Sequence, residues 1–181
     1  MLTWMFDAAV PAAALLLALA LDRWRGEPPA ALHPVVWMGW ALGACGARVA
    51  PGRVTERDLW SFWLATIAWC ALAAIVFAAA AVLQWAALAH LPAWGAALAL
   101  GLLLKPLLAW RMLRDEVLAV ESALGESLVA GRARLAWLVS RDVQQLDAAA
   151  VRESAIESLA ENLSDSVVAP LFWFVLLGLP G

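Results

Sequence analysis

Charge is scarce in this chain, and over one long stretch it is missing altogether. Asp, Glu, Lys and Arg make up 15% of the 181 residues, and none occurs from Leu59 to Leu104. That gap excludes a solvated helix pair: a membrane-spanning helix needs about 20 apolar residues, and this run is long enough for two. Cysteine is limited to Cys45 and Cys70, both within apolar stretches, so neither a disulfide framework nor a redox pair is indicated. No GxxxxGK[ST] phosphate loop, GxGxxG turn, HExxH helix or Cys/His metal cluster is present. The 12 basic residues are scattered against 15 acidic ones, for a net charge of −3, so nucleic acid is not an expected partner. Internal repeats are absent, as are low-complexity tracts beyond a richness in Ala and Leu.

What remains is apolar: 65% hydrophobic residues and a mean hydropathy of +0.81. The expected class is all-α, a polytopic membrane helical bundle with a cytoplasmic amphipathic helical segment, forming one integral-membrane domain. Spans are predicted at about 4–21, 60–84, 93–112 and 167–181. The first reads as a retained span rather than a signal peptide, because Asp7 stands where a basic n-region would be. Trp60, Trp63, Trp85, Trp94 and Trp110 mark the ends of the central pair. Gly26, Pro28, Pro29 and Pro34 predict an irregular loop over Arg23 to Pro34. Val35 to Val49 is short for a span and is expected to lie in the interface or re-enter part-way. Gly39 and Gly43 within it form a GxxxG pattern that would admit a second helix, though such patterns are common in Gly/Ala-rich sequence. Every Lys and Arg falls in Arg23–Arg57 or Lys105–Arg152. The positive-inside rule therefore places loops 22–58 and 113–166 in the cytoplasm and the N-terminus outside.

The most informative stretch is Ser140 to Trp173. Leu113, Val117, Val120, Leu124 and Leu128 first recur on one helix face; Gly131 is expected to end that helix, and Leu135 to Val139 to start another. Asp147 then stands as an N-cap ahead of a further apolar-periodic run. Glu153, Glu157, Glu161 and Asp165 follow at four-residue steps, each drifting only about 40° on a continuous helix. No Lys or Arg lies three or four places from Glu157, Glu161 or Asp165, so the like charges call for an outside partner. A Mg²⁺ ion held by oxygens of Glu157, Glu161, Asn162 or Asp165 is one; a merely solvated acidic face is the alternative. Arg141 either pairs and caps locally or clamps a phosphate facing the stripe. His33, in an X-His-Pro turn, makes a structural hydrogen bond or contacts a phosphate or carboxylate beside Arg23 and Arg25. Pro170 falls in the first turn of the last span or kinks it.

Two blocks, LDRWRGEPPAALHPVVWMG and RDVQQLDAAAVRESAIESLAENLSDSVVAPLFW, resemble in order and spacing the membrane-bound adenosylcobinamide-phosphate synthase family of cobalamin biosynthesis. The resemblance implies a ligase that joins a propionate carboxylate of the corrinoid adenosylcobyric acid to aminopropanol or aminopropanol phosphate, consuming ATP with Mg²⁺. It places Glu157, Glu161 and Asp165 at the metal and catalytic end. Arg141, Asn162 and Ser164 would lie on the nucleotide, and Arg23, Glu27 and His33 at the substrate mouth. It further implies residence in the cell inner membrane, and either a homo-oligomer or association with other late cobalamin-pathway membrane enzymes. Ser140 and Ser166 stand where the family usually has Gly, and Trp40 where a basic residue is common. Family members continue past this point with an Asn-Thr-Leu-Asp stretch and further spans, so the chain reads as an N-terminal fragment. Two other readings are a membrane sensor of the related β-lactamase-induction family and a small transporter. The ENLSD and HPVVWMG runs weigh against the first, and spans offering little beyond Thr66 and Gln84 against the second.

Overall fold

The computed structural model describes residues 8–50 and 58–181, and among these every regular element is helical. The start of the first predicted span, 4–7, lies outside the described residues, and the rest forms α1 (Ala9–Arg25). That helix runs past Arg23, so the irregular loop begins at Gly26 and not at the expected Arg23. It ends at Gly26, whose φ of 68° and ψ of −155° fall in a region open essentially to Gly alone. After a 3₁₀ turn at Ala30–Leu32, Pro34 opens α2 (Pro34–Val49), where its fixed φ and missing N–H are tolerated. At 16 residues α2 measures about 24 Å, short of a bilayer core of about 30 Å. Gly39, Gly43 and Gly46 have no heavy atom within 4 Å of where a Cβ would stand, so the GxxxG face carries no packing among the described residues.

Asp58 caps α3 (Leu59–His90), its carboxylate accepting from Ser61 N. The helix is apolar on every side, and none of its most apolar window is buried within the chain, as suits a lipid-facing rod. Half of the corresponding window beginning at α4 (Ala93–Leu104) is buried, which makes α4 the centre of the bundle. Small residues let it approach α1: Ala14, Ala18, Ala96 and Ala97 are buried, and a Cβ on Gly101 would stand 2.9 Å from the Ala14 carbonyl oxygen. Leu100, Leu104, Leu108 and Phe174 complete this core. The predicted 93–112 span is not one continuous helix. A 3₁₀ turn at Lys105–Leu107 and an extended Leu108 interrupt it, because Pro106 withholds a helical N–H.

A second, smaller core lies beyond that break. It joins α5 (Trp110–Glu126), α6 (Leu128–Leu135) and α7 (Ala148–Leu163) through Val120, Leu135, Val143, Val151 and Ala155. Here the expected boundary needs correction. The break falls at Ser127, whose side chain caps α6 by accepting from Ala130 N, and Gly131 sits buried within α6 against Leu124. Residues 136–139 form turns and no helix. The expected Asp147 cap is present, accepting from Ala150 N at 2.8 Å.

From α7 the chain passes through a π-helical turn at Ser164–Val168 into α8 (Ala169–Leu177). Pro170 explains the wide turn: it cannot donate to the Ser166 carbonyl four residues back, and its ring crowds that group. The freed oxygen accepts instead from Ala109 N at 3.1 Å, tying α8 to the break after α4. At its far end Leu179 N donates to Gln84 Oε1 at 2.6 Å, so the polar side chain of α3 anchors the end of α8. Among the described residues three helical runs are long and apolar enough to cross a membrane: Leu59–His90, Ala93–Glu126 and Ala148–Leu177.

Candidate functional site

The break after α4, the loop after α1 and the π turn meet around one cleft of about 620 Å³, within the size range of small-molecule sites. Its polar wall comprises Glu27, His33, Asp165 and Ser166, and its apolar wall includes Pro106 and Trp173. Residues more than 130 positions apart in sequence thus share one surface, and both sequence blocks supply it.

A chain of charges supports the polar wall. Asp22 is 1% exposed and Lys105 7%. Lys105 Nζ lies 3.4 Å from Asp22 Oδ1 and 3.7 Å from Glu27 Oε1. The other Glu27 oxygen, Oε2, is 2.9 Å from His33 Nε2. Asp22 Oδ2 accepts from Arg111 N at 3.1 Å, so the carboxylate also caps the start of α5, where a negative charge suits the helix dipole. Arg111 in turn donates to the Trp24 carbonyl at 2.5 Å and bridges to Asp115, closing α1 onto α5. Four buried atoms of this network have no hydrogen-bond partner among the described residues: Asp22 Oδ1, Glu27 Oε1, His33 Nδ1 and Lys105 Nζ. Three of them, Asp22 Oδ1, Glu27 Oε1 and Lys105 Nζ, offset one another as ion pairs, which leaves His33 Nδ1 without such a partner; an atom of this kind is costly to bury, and its ring lines the cleft.

Against this geometry the sequence-derived candidates divide. Glu27, His33 and Asp165 line the cleft; Arg23 is exposed at the end of α1 and does not. Glu153, Glu157 and Glu161 lie exposed along α7 and do not line the cleft, whereas Asp165, just inside the π turn, does. Glu157 has its outside partner in Arg141, with Nη2 to Oε2 at 2.5 Å. Asn162 Nδ2 donates to the Ser158 carbonyl at 2.8 Å, and Ser164 opens the π turn with its carbonyl accepting from Ala169 N. Among the described residues no three of the His, Cys, Asp and Glu side chains lie close enough to hold a metal. The set Glu157, Glu161 and Asp165 is therefore no pre-formed three-carboxylate centre. Asp22 and Lys105 were not among the candidates, although both close an apolar run, a position where charge is expensive. Ser140 and Ser166 raise no backbone difficulty, since no described residue other than Gly has a positive φ.

The family model described as CobD/Cbib protein matches residues 15–181, which includes the whole cleft. The chain belongs to the CobD/CbiB family. It is 40% identical over 168 residues to the cobalamin biosynthesis protein CobD of Chromobacterium violaceum, covering 92% of this chain and 52% of that protein. It is 38% identical over 176 residues to the CobD of Rhodobacter capsulatus, covering 94% and 53%. A CobD-type protein of Methanothermobacter thermautotrophicus is 38% identical over 167 residues, covering 92% and 52%. The chain thus spans about half the length of these curated relatives. No solved structure matches it. These relatives are named as cobalamin biosynthesis proteins, and the three long apolar helices among the described residues of this chain suit a membrane protein.

Proposed function

We propose that this CobD/CbiB chain carries the amide-forming site of a ligase that joins a propionate carboxylate of adenosylcobyric acid to aminopropanol or its phosphate. The observation that carries the reading is the convergence of the two family-like blocks on one cleft, where Glu27 and His33 face Asp165 and Ser166. A carboxylate is a poor acyl donor, so the reaction requires activation, and we assign that role to ATP through an acyl phosphate. Magnesium would enter with the nucleotide: Mg²⁺ bound to phosphates needs only one or two protein carboxylates, and the exposed Glu161 and Asp165 suit that demand where the described residues form no three-carboxylate cage. We assign the phosphates to Arg141, from the turn before α7, and to Ser164, which follows α7, with Arg141 leaving Glu157 to meet them. Arg23 and Arg25 close α1 beside the Asp22–Lys105 contact, so basic residues from both segments meet at this end, which supports a cytoplasmic face of the inner membrane for it.

The test uses the full-length protein in membranes, with adenosylcobyric acid, ATP, Mg²⁺ and, separately, aminopropanol and its phosphate. The expected result is the amide product with one amine strongly preferred, and its loss in Asp165→Ala. Unchanged ATP-dependent amide formation in Asp165→Ala would remove the cleft from the reaction.

A further inference from the structure

We propose that His33 is the proton acceptor for the attacking amine, held by Glu27, and that Lys105 and Asp22 are positioning residues behind that pair. This deepens the ligase reading above and rests on it.

The geometry points there in three steps. A carboxylate only accepts hydrogen bonds, so the 2.9 Å contact between Glu27 Oε2 and His33 Nε2 puts the ring proton on Nε2. The lone pair of the neutral imidazole is then on Nδ1, which is buried and has no partner among the described residues. Nor is that nitrogen used in helix capping: His33 is the N-cap residue of α2, yet its side chain makes no cap bond. The same ring lines the cleft, so Nδ1 is the one neutral nitrogen acceptor of that wall with unused capacity, beside the carboxylates of Glu27 and Asp165.

The network behind it has the character of a mount. Lys105 is buried at 7% exposure and, among the described residues, its Nζ makes no hydrogen bond; its neighbours of opposite sign there are Asp22 and Glu27, at 3.4 and 3.7 Å. Asp22 is referenced to the start of α5 through Arg111 N. The Glu27 carboxylate is thereby held from one side by Lys105 while its other oxygen orients His33. Glu27 from the loop is the charged group against the ring; behind it stand Lys105 from the 3₁₀ turn and Asp22 from α1, whose carboxylate meets the Arg111 backbone of α5, and Asp165 lines the same cleft.

The step is a proton transfer alone. An alkylammonium gives one N–H proton to Nδ1, and the bonding pair stays on the amine nitrogen as its lone pair. The ring becomes an imidazolium that keeps its Nε2–H bond to Glu27. The neutral amine then attacks the carbonyl carbon of the acyl phosphate. As the C–N bond forms, the C–O bond to phosphate breaks and phosphate leaves with that electron pair. The extra N–H proton of the addition intermediate passes to the departing phosphate or to water, and nothing is oxidised or reduced. General-base assistance of this kind is worth about 10²–10⁴ in rate.

The experiment measures amide formation by the full-length protein across pH, with aminopropanol varied at saturating ATP and adenosylcobyric acid. His33→Gln keeps a donor where Nε2 stands but has nothing at Nδ1. It should lower kcat at neutral pH by about 10²-fold or more while KM for the amine holds. The deficit should shrink as the pH approaches the ordinary alkylammonium value of about 10, where the amine is already deprotonated. Lys105→Met should lower kcat with KM unchanged, and Lys105→Arg should restore the larger part. A His33→Gln deficit independent of pH, or none at all while Asp165→Asn is impaired, would overturn the assignment and leave the cleft standing. Wild-type turnover in His33→Gln, Glu27→Gln and Asp165→Asn together would overturn the cleft reading itself.

Discussion

Gly101 is the closest point between α1 and α4, and adding one methyl there sets two effects against each other. In a free helix Gly→Ala is favourable by about 0.8–1.0 kcal/mol. At Gly101 the new Cβ would stand 2.9 Å from the Ala14 carbonyl oxygen and 2.9 Å from Leu17 Cδ2, with Leu17 Cβ at 3.2 Å. The Leu17 side chain can turn away; the Ala14 carbonyl belongs to the α1 backbone and moves only with the helix. Overpacking of this kind costs about 1–3 kcal/mol. Gly101→Ala should therefore come out less stable than the unmodified protein by up to about 2 kcal/mol. Gly43→Ala is the matched control: nothing lies within 4 Å of its Cβ position, so the propensity gain stands alone and stability should rise. Both are read as reversible unfolding in mixed detergent micelles by helical circular dichroism. A Gly101→Ala protein as stable as Gly43→Ala would refute the close packing of α1 on α4, and with it the placing of Asp22 beside Lys105.

Two further perturbations test the polar end of the bundle. Asp22→Ala removes the nearer carboxylate of Lys105 and the cap of α5 together, leaving a buried ammonium with Glu27 at 3.7 Å. It should cost about 3–5 kcal/mol, and the Asp22→Ala/Lys105→Met double variant should recover a large part, because replacing both members of a buried pair is far less damaging than orphaning one. Additive losses in that double-mutant cycle would show the two side chains uncoupled. Arg141→Ala breaks an exposed pair whose members are 51% and 58% accessible, so unfolding should shift by less than about 1 kcal/mol. Any loss of ATP-dependent turnover beyond tenfold in that variant then reports binding; stability losses of several kcal/mol would place Arg141 in the scaffold.

Helical class, the Asp147 cap and the apolar runs were legible because each is local: periodicity, capping chemistry and hydropathy act within a few residues of the chain. The helix break at Ser127 was not read, although a Ser ahead of a new apolar face carries the signal; Gly131 drew the boundary instead, and its small size serves contact with Leu124. The four-residue carboxylate spacing was legible, but the spacing alone assumes unbroken α-helix. Pro170, four residues after Ser166, undoes that assumption through the π turn, and it was visible in the sequence all along. Arg141 as the partner of Glu157 lies 16 positions away, beyond any helical register, and only the turn at 140–147 brings them together.

Asp22 and Lys105 show how such a pair can still be inferred without coordinates. A charge closing an apolar run either reaches the headgroups or meets an opposite charge, and composition does not choose between them. Orientation does. The positive-inside rule puts the end of the first run and the end of the third on one side of the bilayer, one bearing Asp22 and the other Lys105. Opposite charges closing two runs on the same side are candidates for each other, and the candidacy sharpens when small residues such as Ala14, Ala18 and Gly101 let those two helices approach. Their 3.4 Å contact follows from that combination, and Glu27 and His33, five and eleven residues further along, are then carried to the cleft by the Gly26 turn.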